Sequence, residues 1–496
     1  MREPAILQHV TSVTGARATS LGLDSRVREA LRERLAARVE QGVRVARRER
    51  AVVPVAATVA LPAGLDLSAA VLAARRPDDR FSCLEQPDRD GFALAALGQA
   101  ALLEARGPER FPELAARARD LGRRALADDP AADPARPPAA GPVFVGGFAF
   151  ADQGGGSPEW SSLAPGSLVL PELALARQAE QARMTLCAAA GPDDDPDELL
   201  ARLNRRLDEL GPASMPLLDP DPVERTRVAS AAPPAHFEAA VARAVERIRA
   251  GQLEKIVLAR EVRAYAPAAH DPAAVLGALR EAFPACYCWC VGTPELAFVG
   301  ASPELLVRRD GQRAQTVALA GTTRRSADSS VDDHLGEALL RSAKDREEQA
   351  IVVRRIERAL EPVSLWVAAG EEPVLVRVQN VQHLATPIRA QLAEPVAAVE
   401  LAGMLLPTPA VGGEPRAAAL PLIPALEGLD RGWYAGAVGW TDLAEDGEFC
   451  VALRCALLRG RVAHLYAGCG IVRDSAPADE LAESEVKLQA LLPLLA

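Results

Sequence analysis

Two acidic pairs stand out along the chain. Glu480 and Glu483 lie three residues apart at a helix-like start, just after a turn carrying Gly468 and Gly470. Asp345 and Glu348 repeat the spacing inside a long helical pattern. Residues at i and i+3 share a helix face, so each pair points its carboxylates one way. A solvated helix start, where acids suit the dipole, would also explain the first pair. The second is harder to place. Asp345 falls on a line with Ala338 and Val352, flanked by Leu335, Leu339 and Ile356, which should face a core. A charge there is costly unless paired or coordinated, and the neighbours Lys344 and Arg346 should point to other faces. If the two helices converge, four carboxylates need a cation. Mg2+, which takes oxygen ligands together with a substrate's own anion, is the obvious one.

Other polar residues sit in apolar surroundings. Lys255 opens KIVLAREV, with Val257 and Ala259 on its face. A desolvated lysine has a lowered pKa and can act as a base; a strand-end lysine snorkelling to solvent is the alternative. Glu304, in FVGASPELL, enters a strand as a candidate general acid or as an edge-strand charge. Arg454 lies in VALRCAL, read as a strand, where an inward guanidinium suggests a carboxylate clamp. Tyr434 lies in RGWYAGAVGW, at the mouth of the preceding strand. A structural ion pair and a core tyrosine are the alternatives for these two.

The elements that must position these groups are legible in outline. Residues 26–50 form an Arg-rich amphipathic helix with Leu31, Leu35 and Val39 inward, and 51–60 a strand. Residues 92–127 read as helical and Ala/Leu-rich, 128–141 as a Pro-rich loop, 143–150 as a strand, and 191–197 as a loop before a helix ending near Leu210. A Pro-rich stretch, 211–234, joins the halves. Beyond it come a helix (236–251), strands at 255–262, 287–299 and 305–319 with an Asp310-Gly311 turn, one helix over 331–360, strands within 366–384, and three strands within 434–472 with a turn at Asp446-Gly447. Helices alternating with antiparallel hairpins predict an α+β (mixed α/β) fold with large sheets.

Composition narrows the class. The chain has 496 residues, 49% hydrophobic and 25% charged, with net charge −11, which disfavours nucleic-acid and anionic-membrane partners. No apolar run is long enough to span a membrane, and the N-terminus lacks a signal-peptide apolar region. Cys286, Cys288 and Cys290 alternate as on one buried strand face, so a reduced, cytoplasmic protein is expected. The histidines show no transition-metal spacing.

Together these residues resemble the chorismate-utilising enzymes, and within them the isochorismate synthases. Over residues 236–492 the resemblance rests on GQLEKIVLAR, FVGASPELL, ALAGTTR, LLRSAKDREEQ, VQNVQHLAT, PTPAVGGEP, RGWYAGAVGW, DGEFCVALRCA, and YAGCGIV followed by ExxExxxK. FSCLEQP, GGFAF and Trp160 carry it more loosely through the first half. It implies a single large domain of two stacked, mostly antiparallel sheets wrapped by helices, with 1–234 as a divergent N-terminal half and 235–496 as the chorismate-binding catalytic region. It implies Mg2+ held directly by Glu348 and Glu483, with Asp345 and Glu480 flanking. Lys255 becomes the base that activates water for attack at C2 of chorismate, and Glu304 the acid for the departing C4 hydroxyl. Thr322, His383, Tyr434, Arg454 and Gly468 become substrate-binding positions. Lys255, where ammonia-using relatives carry glutamine, and Ala320, where aminodeoxychorismate synthases carry lysine, imply water as nucleophile and no glutamine amidotransferase subunit. Gln349 and Leu406 stand where histidines are usual. The expected activity is isochorismate synthase, in menaquinone or catechol siderophore biosynthesis, by a monomer. Salicylate synthase is the alternative, and a catalytically silent chorismate-binding protein the third reading.

Overall fold

The computed structural model describes residues 21–129, 132–218, 225–378 and 381–495. The N-terminal stretch read for a signal peptide, and Gln379 and Asn380 of VQNVQHLAT, lie outside them. Among the described residues, a twelve-stranded and a ten-stranded sheet carry the fold, with strands paired antiparallel. Strands from residues 1–234 and from 235–496 share both sheets: Phe81–Gln86 pairs with Tyr287–Gly292 in the larger, Val143–Phe148 with Ala437–Asp442 in the smaller.

One core lies between the sheets. It joins Trp289 and Phe298 of the larger to Phe144, Phe148 and Phe449 of the smaller. A second covers the other face of the larger sheet with the helices Ser25–Glu49, Leu67–Ala73, Pro196–Glu209 and Pro272–Ala282. Strand alternation divides the side chains between them: Phe298 goes to the first, Val299 and Ala301 to the second. Cys286, Cys288 and Cys290 fall together in the second, buried and unpaired. Leu31, Leu35 and Val39 are buried as their spacing predicts, while Arg28 and Arg32 on the same helix reach Asp208. No helix among the described residues is long and apolar enough to cross a membrane.

Four expectations need correction. Residues 287–299, read as a strand, belong to a hairpin of Tyr287–Gly292 and Ala297–Ser302. Residues 92–127 hold two strands, Phe92–Leu97 and Ala101–Ala105, before the helix Arg110–Arg124. All six residues of FALAAL are buried, so the strand lacks the half-exposed alternation that would have marked it. Residues 434–472 hold four strands, because the segment read as one strand through Arg454 is broken there. The helix expected over 331–360 is two, Ser329–Arg341 and Ala343–Leu360. Ser342 divides them: its extended backbone ends the first, and its hydroxyl accepts from the Asp345 amide at 3.3 Å to cap the second.

Candidate active site

The site forms where the chain steps from one sheet to the other. Pro303 and Glu304 join Ala297–Ser302 of the larger sheet to Leu305–Asp310 of the smaller. Residues 452–454 make the return step from Gly447–Val451 to Cys455–Arg459. The crossings are tied together: the Val451 amide donates to the Glu304 carbonyl at 3.0 Å, and the Ala301 amide to that of Arg454 at 3.1 Å. Arg454 takes φ 48°, in the left-handed region that L-residues adopt at a cost, so the arginine read as a strand residue is a crossing residue. Neither side chain is committed to a sheet face there. Both line one cavity of about 240 Å³.

All four carboxylates line the same cavity, as do Thr322, His383, Tyr434 and Gly468. The two helix starts do converge, for reasons the periodicity did not give. Asp345 is a half-buried first-turn residue hydrogen-bonded by Ser342, and its supposed line-mate Ala338 is exposed. Burial, then the nearby Glu348 and Glu483, push the Asp345 carboxyl up. Burial likewise raises Glu480, with Glu483 adding to it. Glu483 is held down despite its burial, because Lys487 donates to it at 2.6 Å. Lys344 lines the cavity too and acts on Asp345, Glu480 and Glu483, so it does not point to another face. Arg346 does turn away, to Glu372.

Lys255 is 1% exposed, which removes the snorkelling alternative. It is not unpaired: its ammonium donates to Glu348 Oε1 at 2.6 Å. Gly470 makes room for this pair, since a Cβ there would lie 2.8 Å from Glu348 Oε1 and 3.0 Å from Lys255 Cε. Glu304 is 3% exposed. Burial lifts its carboxyl to about 8, against the pull of Lys255 and Arg454, so it carries a proton at neutral pH.

On the opposing pair of strands, Thr322 faces His383 across the register, and their side chains meet at 3.0 Å through Oγ1 and Nδ1. Arg454 Nη2 lies 3.5 Å from His383 Nε2. Burial and the cations Arg454 and Lys487 hold His383 well below the usual histidine range, so the ring is neutral. Tyr434 is buried, and a Cβ on Gly468 would lie 2.9 Å from its hydroxyl. Gln349 is buried, its amide donating to Ala318 O and Thr386 Oγ1, both at 2.9 Å; Leu406 is buried in the core between the sheets.

The donor set fits a hard divalent cation: carboxylates from two helices crowd one cavity, and two are raised partly by their neighbours' charge. Ligand atoms of Cys469, Glu480 and Glu483 gather within 4.8 Å. The Cys469 thiol is pushed up by burial and donates to the Glu480 carbonyl at 3.2 Å, which leaves the carboxylates as donors. Lys487, the last residue of ExxExxxK, is given no role by the sequence reading. It binds Glu483 and donates to the Gly468 carbonyl at 2.9 Å, tying acid and glycine together. Its place four residues after Glu483 was the available signal.

The model of the chorismate binding enzyme family matches residues 43–496. A salicylate biosynthesis isochorismate synthase of Pseudomonas aeruginosa is 39% identical over 426 residues, 84% of this chain and 85% of that one. The isochorismate synthase MenF of Bacillus subtilis is 34% identical over 361 residues, 72% and 75% of the two chains. Among solved structures, the menaquinone-specific isochorismate synthase MenF of Escherichia coli matches with a TM-score of 0.75 at 26% identity, over 93% of this chain and 100% of that one.

Proposed function

Because the chain belongs to the chorismate binding enzyme family, we propose that it is an isochorismate synthase, an isomerase that converts chorismate to isochorismate. Water adds at C2 of the ring, the two double bonds shift, and the C4 hydroxyl leaves as water, so composition is unchanged. The carrying observation is Glu304, a buried carboxyl held near 8 in the same cavity as the four acids. A protonated acid at neutral pH is what a departing hydroxide requires.

Lys255 accepts a proton from the attacking water. It can do so only as the free amine, whose remaining N–H can still donate to Glu348. Arg454, Tyr434 and the Gly468 backbone bind substrate carboxylate, and Thr322 orients the neutral His383 beside it. Glu348 and Glu483 would hold Mg2+ directly, with Asp345 and Glu480 beside them; when bound, the ion neutralises and orients the substrate's carboxylate. Lys255 and Ala320 favour water over ammonia, so no amidotransferase subunit is needed.

Purified protein with chorismate and Mg2+ should form isochorismate, and EDTA should stop it. Pyruvate and fluorescent salicylate without an added lyase would instead identify a salicylate synthase. Chorismate binding without turnover would identify a silent binding protein.

A further inference from the structure

Three aromatic rings from separate parts of the chain lie in one stack that ends in the cavity. Trp160 belongs to the short turn Pro158–Trp160, far from the catalytic motifs in sequence. Its ring centroid lies 5.8 Å from that of Tyr466, tilted by 30°. Tyr466 lies 5.2 Å from Tyr434 at 17°, an offset stack. All three are at most 3% exposed. Two glycines admit this packing at its ends. A Cβ on Gly432 would lie 2.1 Å from the Trp160 ring, and one on Gly468 2.9 Å from the Tyr434 hydroxyl. Gly432 also has φ +51°, and it lies two residues before Tyr434, so the turn carrying Tyr434 is seated on Trp160. The hydroxyl of Tyr466 and the indole N–H of Trp160 have no hydrogen-bond partner among the described residues. What these side chains offer is their ring faces.

We propose that Trp160 and Tyr466 are positioning residues: Tyr466 stacks on Tyr434 and Trp160 backs Tyr466, so that together they fix the Tyr434 hydroxyl over Gly468 and set substrate affinity. This rests on reading Tyr434 as a substrate-binding residue. Trp160 stands behind the cavity wall and Tyr466 forms part of it, and neither has a role toward the reacting atoms, so their loss should raise KM for chorismate more than it lowers kcat.

The test is a double-mutant cycle on the full chain with Mg2+ and chorismate. Tyr466→Leu should raise KM about 3- to 10-fold, the worth of one aromatic pair, while Tyr466→Phe, which keeps the ring, leaves KM unchanged. Trp160→Phe should be mild and Trp160→Leu should follow Tyr466→Leu. In a Tyr434→Phe background, where the hydroxyl is gone, Tyr466→Leu should add nothing further to KM. If Tyr434→Phe raises KM and Tyr466→Leu adds its full effect on top, the stack does not act through Tyr434 and the proposal falls alone. If Tyr434→Phe leaves KM unchanged, the substrate-binding reading of Tyr434 falls with it. Tyr466→Phe guards against misfolding: a KM increase in this ring-conserving variant would place the effect in the hydroxyl and overturn the proposal.

Discussion

Glu304→Gln removes one proton and keeps the shape of the side chain. In the native protein burial lifts this carboxyl from the ordinary 4.5 to about 8. The native state therefore holds a proton that the unfolded chain releases, and stability falls as pH rises between those values. The loss is about 1.4 kcal/mol for each pH unit inside that window. It is fully avoided at low pH and fully incurred above the folded value. The glutamine variant has no such proton, so its thermal midpoint should change less between about pH 5 and 8 than the wild type's. Activity follows the same proton. If Glu304 delivers it to the departing hydroxyl, wild-type kcat should decline above pH of about 8, and the variant should lose about 10²–10⁴-fold at neutral pH together with that alkaline limb. The assay is isochorismate formation by chromatography across the pH range, with thermal unfolding beside it. A variant that keeps wild-type kcat and the same alkaline limb refutes the acid assignment. A variant whose pH dependence of unfolding matches the wild type refutes the raised carboxyl itself.

Lys255→Ala should abolish turnover while equilibrium dialysis still detects chorismate binding, because it removes the buried nitrogen paired with Glu348 and leaves that carboxylate in the cavity. Gly470→Ala should lower kcat sharply, since its Cβ would wedge between Lys255 and Glu348; wild-type kcat in that variant would contradict the close approach. Glu480→Gln should weaken Mg2+ about 10–100-fold if this acid sits behind the direct ligands, read from activity titrated with the metal. Ser342→Ala should cost about 1 kcal/mol in thermal unfolding by removing the cap of Ala343–Leu360.

The sequence determined the cast of residues and the chemistry open to them. The i, i+3 spacing told that Glu480 and Glu483, like Asp345 and Glu348, share a face, because helix geometry is local. Leu31, Leu35 and Val39 declared a buried stripe for the same reason. What needs partners from elsewhere was not legible. FALAAL looked helical because a strand buried on both faces shows no alternation. Asp345 is a different case: its contact with Ser342 is local and S-x-x-D is a capping pattern, but the apolar periodicity was read across it. The partner of Lys255 could not be read from its surroundings, because Glu348 stands 93 residues away in the chain. Only the tertiary structure decided that Glu304 and Arg454 occupy the crossings between two sheets. At a crossing the backbone leaves one ladder for another, so a side chain is free of both sheet faces and can enter the cavity between them. Burial at that point turns an ordinary carboxylate into an acid protonated at neutral pH, and burial is a property of the folded chain alone.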